Sequence, residues 1–257
     1  ARKAVFMEHL AEVKAYLHKT PTTKDGQRVE VELNISSVAP QELENIAVSD
    51  GVGLFRTEFL YLGRDKLPDE EEQFETYKKA LLACGQRPMI LRALDIGGDK
   101  KLTSLQTQQE ENPFLGVRAL RLCFAHPDVF RTQLRAALRA GIYGNLWLMF
   151  PMVGSLDDIV RARAAVDQVK AELAQDGIAF GKNVKLGIMI EIPSVAILAD
   201  EVAKMVDFAS IGTNDLTQYT LAVDRTNPNL SEYFQIYHPA VLRLIQMVAD
   251  AFNKAGK

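Results

Sequence analysis

Charged and amide side chains follow short apolar segments at several places in this sequence. They include Arg56, Arg92, Glu191, Asn214 and Asp215. Arginine forms bidentate hydrogen bonds with carboxylate and phosphate oxygens, and carboxylates bind divalent cations. If these side chains meet in the folded chain, they form a site for an anionic ligand that is accompanied by a metal ion.

Residues 206–219 show this pattern most fully. An apolar run over 206–211 ends at Gly212, and Thr213, Asn214 and Asp215 follow before a helix-forming stretch. A strand that leads into a helix in this way places polar groups beside a helix N-terminus, where anions bind. The alternative is that Thr213 or Asn214 only caps the helix. This stretch alone leaves both interpretations open.

Nearby segments add Arg118, Arg225 and a Gly97–Gly98 loop with Lys100. A site with four arginines, two carboxylates and an amide fits a small phosphorylated acid. The two carboxylates, on neighbouring strands, complete an octahedral magnesium site with ligand oxygens and water. Such a site suits phosphoryl transfer, which depends on positioning and on neutralisation of the phosphoryl oxygens.

Each of these residues also has a purely structural interpretation. Arg56 and Glu58 could be ordinary exposed residues at the end of a strand, and Arg118 could be solvated on a helix. Glu191 could cap the helix that follows it, because acidic residues favour that position. The Gly97–Gly98 pair could form only a turn. The chemical interpretation therefore depends on the joint placement of the residues.

Six apolar segments alternate with helical segments, and these elements must position the site. Strands are predicted at 28–35, 52–55, 89–91, 146–150, 184–190 and 206–211. Helices are predicted at 40–48, 68–84, 114–124, 127–140, 193–205 and 241–252, and another opens at a capping box of Ser155 and Asp158. The alternation predicts an α/β fold with a parallel sheet and right-handed crossovers.

The choice is between an open doubly wound sheet and a closed barrel. Polar residues at the carboxyl ends of the strands favour a (β/α)8 TIM-type barrel. Six of its eight strands are identified, so we expect a barrel that is incomplete at the C-terminus. Residues 1–24 are predicted to be a linker helix from a missing N-terminal domain, and residues 25–257 the truncated barrel domain.

Composition excludes several classes of protein. The charge is balanced, with 30 Lys+Arg and 33 Asp+Glu, and no basic cluster indicates nucleic-acid binding. The sequence has no apolar run of the roughly 20 residues that span a bilayer and no signal peptide, so we expect a cytoplasmic protein without membrane insertion. Cys84 and Cys123 lack metal-site spacing and are predicted to be packed thiols. His126 and His238, each before a proline, are interpreted as capping or packing residues.

The motifs resemble those of the phosphoenolpyruvate (PEP)-utilising enzymes, most closely the C-terminal domain of Enzyme I of the bacterial phosphotransferase system. The resemblance covers essentially the whole chain in register. It is carried by the segments GLFRTEFL at 53–60, DIGGDK at 95–100, ENPFLGVR at 111–118, FPM at 150–152 and the stretch from 207 to 225.

This resemblance implies roles for seven residues. PEP contacts are implied for Arg56, Arg92, Arg225, Asn214 and Asp215, with Arg118 supporting the phosphate, and Mg²⁺ ligation for Glu191 and Asp215. The family passes the phosphoryl group of PEP, leaving pyruvate, to a histidine on a separate N-terminal domain of the same chain. A histidine-containing phosphocarrier protein of sugar transport receives it next. The implied fold is a (β/α)8 barrel that forms a homodimer.

The resemblance also leaves functional alternatives open. The family's proton-donor cysteine, in a Gly-x-Cys-Gly-Glu segment, is expected beyond Lys257, so no catalytic residue is assigned and the isolated chain is expected to be inactive. Ala93 and Ile192 stand where the family commonly has threonine. The alternatives are an Enzyme I paralogue of a nitrogen-regulatory or multiphosphoryl transfer protein, and a PEP-binding regulatory module without turnover. A pyruvate phosphate dikinase-like enzyme is less favoured, because the match to Enzyme I is closer along the chain.

Overall fold

A computed structural model describes residues 19–98 and 110–257, together with residues 6, 7, 9, 13 and 15–17. The strands are β1 Leu33–Ile35, β2 Val52–Arg56, β3 Pro88–Arg92, β4 Asn145–Phe150, β5 Lys185–Ile190 and β6 Phe208–Ile211. The helices are α1 Pro40–Ile46, α2 Glu70–Cys84, α3 Leu120–Ala125, α4 Pro127–Ala140, α5 Leu156–Gln175, α6 Pro193–Ile197, α7 Ala199–Met205, α8 Thr213–Leu221 and α9 Pro239–Lys254. Short 3₁₀ helices occupy Thr57–Leu60, Pro113–Leu115 and Pro228–Leu230.

The strands form one sheet in the order β1-β2-β3-β4-β5-β6, and every neighbouring pair is parallel. Each strand pairs with the next one in sequence after a crossover, as in a TIM-type barrel. The described residues thus form a half-barrel with six of the eight strands, and the predicted fold class is confirmed. The parallel pairing also places the carboxyl ends of all six strands at one edge.

The core lies between the sheet and the helices that cover it. Strand residues such as Phe55, Leu91 and Leu148 are buried, as a parallel sheet covered by helices requires. The predicted stripe of Phe130, Leu134 and Leu138 on α4 is buried as well. This packing fixes the strands firmly, so that the residues at their ends have defined positions.

Several local predictions are confirmed. The hydroxyl of Ser155 accepts a hydrogen bond from the backbone of Asp158, whose carboxylate accepts one in return, which completes the capping box of α5. His238 caps α9 by accepting a hydrogen bond from the backbone N–H of Ala240. Cys84 and Cys123 are buried thiols, and burial raises the pKa of Cys84 to about 11.

Two predicted elements are shorter than expected. The first strand begins at Leu33 instead of residue 28, because the preceding residues bond to loops: the backbone N–H of Val29 donates to Pro21, and that of Val31 donates to Asp50. The predicted helix 114–124 begins only at Leu120, after a 3₁₀ turn and a break.

Two further boundaries also differ. The predicted helix 193–205 is divided at Leu198 into α6 and α7. The predicted linker helix falls largely outside the described residues. Within residues 20–24 the chain is irregular, with an isolated bridge from Thr22 to Arg28.

Candidate functional site

A polar cleft of about 320 Å³ opens at the carboxyl edge of the sheet. It is lined by all seven residues that the sequence singled out as ligand or metal contacts. These are Arg56, Arg92, Arg118, Glu191, Asn214, Asp215 and Arg225. Residues separated by as many as 169 positions in the chain, Arg56 and Arg225, therefore meet in one cleft.

The sheet register explains why the strand-end residues meet. Arg56 ends β2 and pairs with Arg92, which ends β3. On the other side of the cleft, Ile190 pairs with Ile211, so that Glu191 and Gly212 follow neighbouring strands at the same level. The prediction that these strand ends lie at one edge is confirmed.

The loop after β3 brings Arg118 into the cleft. Gly97 has φ +111°, and a Cβ atom there would lie 2.4 Å from the Cβ of Arg118. Ala119, with φ +51°, breaks the chain before α3, and its N–H donates to the carbonyl of Ile96 at 2.8 Å. The glycine therefore permits a close approach of two backbone segments and does more than form a turn. Lys100 lies outside the described residues.

Asp95 joins two of the arginines. Its Oδ2 lies 3.0 Å from Nη1 of Arg92, and its Oδ1 accepts a hydrogen bond from Nη2 of Arg118 at 3.0 Å. Arg92 also donates from Nη2 to Oε1 of Glu58 at 2.7 Å. These buried carboxylates hold the guanidinium groups in fixed orientations, since charge-assisted hydrogen bonds are directional and strong.

Asp215 joins Arg118 to Arg225. Its two carboxylate oxygens accept hydrogen bonds from Nη1 of Arg118 and Nη1 of Arg225, both at 3.0 Å. Arg118 is only 3% exposed, so the interpretation of this residue as a solvated helix arginine is wrong. Asp215 lies in the first turn of α8, where the N-cap is Gly212 and makes no side-chain cap bond. The alternative that Thr213 or Asn214 caps this helix is therefore also wrong.

Glu191 is a buried carboxylate at the end of β5. Its Oε1 accepts a hydrogen bond from the backbone N–H of Met152 at 2.6 Å, whereas the N-cap of α6 is Ile192. The helix-capping alternative for Glu191 is therefore wrong. Burial, together with the negative charges of Asp95 and Asp215, raises the pKa of Glu191 to about 8. Its environment therefore favours a proton or a cation beside this carboxylate.

Arg56 differs from the other arginines of the cleft. Within residues 19–98 and 110–257, no carboxylate lies at ion-pair distance from it, and its guanidinium group lies 5.1 Å from the ring centroid of Phe59. In the same part of the chain, the buried Nε atoms of Arg56, Arg92 and Arg118 have no hydrogen-bond partner. These Nε atoms are closed to solvent, so a ligand in the cleft would be bound by the terminal nitrogens of the guanidinium groups.

The two carboxylates proposed as metal ligands lie on neighbouring strand ends in this cleft. Among the described residues, no group of three or more His, Cys, Asp or Glu is arranged to hold a metal. The donor set fits Mg²⁺, which commonly takes one or two carboxylates from the protein and the rest of its shell from water and substrate oxygens. The raised pKa of Glu191 agrees with a place for positive charge.

Three further residues contribute to the site. Glu58 and Asp95 line the cleft and hold the arginines, and the hydroxyl of Tyr219 accepts a hydrogen bond from Arg118 at 3.3 Å. Glu58 is 0% exposed, so its interpretation as an exposed strand end is wrong, whereas no role was predicted for Asp95 or Tyr219. Signals for them exist, because Glu58 follows Arg56 by two residues and Asp95 directly precedes the glycine loop. Tyr219 lies four residues after Asp215 and so shares its helix face.

The chain matches a known protein family over most of its length. Residues 10–257 match the family described as "PEP-utilising enzyme, PEP-binding domain".

The chain belongs to this family.

Similar relatives within the PEP-utilising enzymes include two proteins named phosphoenolpyruvate-protein phosphotransferase. That of Listeria innocua is 50% identical over 99% of this chain and 45% of its own length. That of Staphylococcus aureus is 51% identical over 91% of this chain and 41% of its own length. The chain thus spans about half the length of the curated relatives it matches.

A solved structure supports the fold. The crystal structure of an HpcH/Hpal aldolase/citrate lyase family protein from Burkholderia cenocepacia superposes with a TM-score of 0.52, 16% identity, and coverage of 95% of this chain and 81% of the other. At this identity the likeness concerns the fold alone. None of the described helices has the length and apolar character of a membrane span.

Proposed function

We propose that this chain is the PEP-binding unit of a phosphoenolpyruvate-protein phosphotransferase, and that the strand-end cleft binds PEP together with Mg²⁺. The observation that carries the proposal is the convergence of four arginines, four carboxylates and an amide in a single cleft, with two of the carboxylates, Glu58 and Asp95, holding arginines in place. Relatives of that name, about 50% identical over nearly the whole chain, support the same ligand.

The arginines supply most of the binding in this proposal. PEP carries a phosphate and a carboxylate, and planar guanidinium groups match both by bidentate hydrogen bonds. Arg56, Arg92 and Arg225 contact these groups, and Arg118 supports the phosphate. Asn214 adds an amide at the cleft wall.

The metal is assigned to Glu191 and Asp215. When bound, Mg²⁺ neutralises charge on the phosphoryl oxygens, which phosphoryl transfer requires. Glu191 is held by the N–H of Met152, and Asp215 is held by Arg118 and Arg225. The protein groups therefore stand in place beside the ligand site before the ligand arrives, so little reorganisation is needed on binding.

The reaction extends beyond this chain. We propose that the phosphoryl group passes to a histidine of an N-terminal domain of the same parent protein, and then to a histidine-containing phosphocarrier protein of sugar transport. In the family, a cysteine protonates the pyruvate enolate. Cys84 and Cys123 are not assigned this role, because both are buried and neither lines the cleft. Residues 1–24 would link to the N-terminal domain, and the barrel of residues 25–257 would form a cytoplasmic homodimer.

Isothermal titration calorimetry of the full chain with PEP tests the proposal. Binding is expected in the presence of Mg²⁺ and is expected to weaken strongly when a chelator replaces the metal. Pyruvate and inorganic phosphate serve as control ligands, and each should bind more weakly because it offers only one of the two anionic groups. The absence of PEP binding with Mg²⁺ present would overturn the proposal, whereas equal affinity with the chelator would overturn only the metal assignment.

A further inference from the structure

We infer that Gln133 and Thr57 are positioning residues that hold Arg92 and Asp95 in the geometry that binds the ligand. Gln133 lies on the outer helix α4, and Thr57 directly follows β2. Neither residue lines the cleft. The inference rests on the proposed function, because it concerns how the PEP site is held in place.

Three consecutive backbone groups at the end of β3 are fixed by hydrogen bonds. The carbonyl of Arg92 accepts from the hydroxyl of Thr57 at 2.8 Å. The N–H of Ala93 donates to the carbonyl of Met149 at 2.8 Å. The N–H of Leu94 donates to Oε1 of Gln133 at 2.9 Å. Side chains therefore hold the chain at Arg92 and Leu94, and the sheet holds it between them.

The hydrogen bonds also connect the two side chains to each other in one consistent direction. Nε2 of Gln133 donates to Oγ1 of Thr57 at 3.0 Å. The N–H of Leu94 can only donate, so it orients the amide of Gln133 with its oxygen toward β3 and its NH₂ toward Thr57. Because Thr57 accepts from Gln133, its single hydroxyl proton remains for the carbonyl of Arg92.

The burial of Gln133 and Thr57 indicates that their polar groups fix one particular geometry. Gln133 is 1% exposed and Thr57 is 0% exposed. The buried neighbours of Gln133 on the same helix include Phe130 and Leu134, and an apolar side chain would fill such a core equally well. A buried polar network in which each member is hydrogen-bonded specifies one geometry more narrowly than apolar packing does.

The segment held in this way carries two cleft side chains. Arg92 is the first residue of this segment, and Asp95 directly follows its last residue, Leu94. Asp95 also bridges Arg92 and Arg118, so a shift of the segment moves both arginines away from the ligand. Small displacements matter here, since bidentate contacts to an anion need a defined orientation.

The same network offers an internal control. Gln73 on α2 is also buried, and its Oε1 accepts hydrogen bonds from the hydroxyls of Tyr61 and Tyr77 at 2.9 and 3.0 Å. Its Nε2 donates to the carbonyl of Pro68 at 3.0 Å. Gln133 has a third hydrogen bond as well, from its Nε2 to the hydroxyl of Tyr77 at 3.4 Å. Gln73 thus resembles Gln133 in burial and in hydrogen-bond number, but it is joined to the end of β3 only indirectly, through Tyr77 and Gln133.

The experiment compares PEP affinity with stability for matched variants of the full chain, by calorimetry with Mg²⁺ and by urea denaturation. Gln133→Met and Thr57→Val keep the side-chain volume and remove the hydrogen bonds, and we expect each to weaken PEP binding by about tenfold or more. Thr57→Ser keeps the hydroxyl and is expected to restore the affinity to within about twofold. Gln73→Met is expected to lower stability while leaving the affinity unchanged.

Arg92→Ala separates the two proposals. If Arg92→Ala leaves PEP affinity unchanged, the proposed site itself is wrong. If Arg92→Ala weakens binding while Thr57→Val binds like the parent chain, the positioning role is overturned and the site stands. An equal loss of affinity in Gln73→Met would also overturn it, because the loss would then follow from general destabilisation. Should Gln133→Met not fold, the Thr57→Val and Thr57→Ser pair decides the question.

Discussion

Two networks of arginines and carboxylates in this molecule differ in their surroundings. The cleft network comprises Arg92, Arg118, Arg225, Glu58, Asp95 and Asp215. The helix network joins α4 to α2 and to the end of α5, and comprises Arg135, Arg139, Glu70, Glu71 and Asp176. The carboxylate side chains of Asp95 and Asp215 are 5% and 10% exposed, whereas those of Asp176 and Glu71 are 49% and 63% exposed.

This difference in solvent exposure distinguishes the structural role of the helix network from the binding role proposed for the cleft network. Carboxylates of the helix network remain in contact with water, so their ion pairs connect helices at little desolvation cost and contribute modestly to stability. The carboxylates of the cleft network have little contact with water, and removal of a partner there is costly because water does not readily replace it. Buried side-chain nitrogens without a hydrogen-bond partner among the described residues occur in both networks, at Arg92 and Arg118 and at Arg135, so the exposure of the carboxylates is what distinguishes the two.

The largest expected effect tests how the low solvent exposure of the cleft network affects stability. Arg118→Ala removes one of the two arginine partners of Asp95 and one of the two of Asp215, which keep Arg92 and Arg225. It should lower the free energy of unfolding by about 3 kcal/mol. PEP binding should be lost as well. Arg135→Ala is the control from the helix network, and its cost should be about 1 kcal/mol because Glu70 and Asp176 regain water. Urea denaturation measures both, and equal losses would remove the distinction between the networks.

A second prediction concerns Arg56, which has no carboxylate partner among the described residues. Arg56→Ala should weaken PEP binding by about 1.5–3 kcal/mol, the usual value of a hydrogen bond to a charged group. Stability should change by less than about 0.5 kcal/mol, since no ion pair is broken. Arg64→Ala, at an exposed arginine paired with Glu72, is the matched control and should leave the affinity unchanged. A stability loss without an affinity loss would assign Arg56 to the structure instead.

A third prediction follows from the crowding of carboxylates in the cleft. The pKa of Glu191 rises from 4.5 to about 8 on folding, so between these values the folded chain holds a proton that the unfolded chain has released. Stability without metal should therefore fall as pH rises through this window, by at most about 1.4 kcal/mol per pH unit. Glu191→Gln, which stays neutral, should lose this slope in urea denaturation from pH 5 to pH 8. An identical slope in both chains would contradict the assignment.

Much of the fold followed from local patterns. Apolar runs of strand length alternated with amphipathic helices, and short-range signals such as Ser155 with Asp158 marked helix starts correctly. The errors arose where long-range contacts override local preference. Ala119 adopts φ +51° and breaks a predicted helix because its N–H bonds to Ile96, from another part of the chain.

For the site, the sequence identified residue types and their positions at strand ends, because the parallel alternation of strands and helices leaves the carboxyl ends at one edge. It did not reveal which carboxylate pairs with which arginine. Only the folded structure shows that Asp95 bridges Arg92 and Arg118, because it places the backbone at Gly97 next to Arg118. Likewise, nothing in the spacing of Thr57 and Gln133 indicates that they hold the end of β3 together.

Chemical identity and periodicity are local properties, so the amino-acid sequence alone specified the alternation of strands and helices and the edge at which the charged groups gather, and it indicated an anionic ligand for the proposed site. Burial and partnership are properties of the folded molecule. The folded structure shows that Arg118 is buried in the cleft and that Glu191 lies near other carboxylates. It also shows that Arg56 has no ion-pair partner in the described part of the chain. The physical reason is that electrostatic energies depend on distance and on exclusion of water, which are settled only when distant segments pack together.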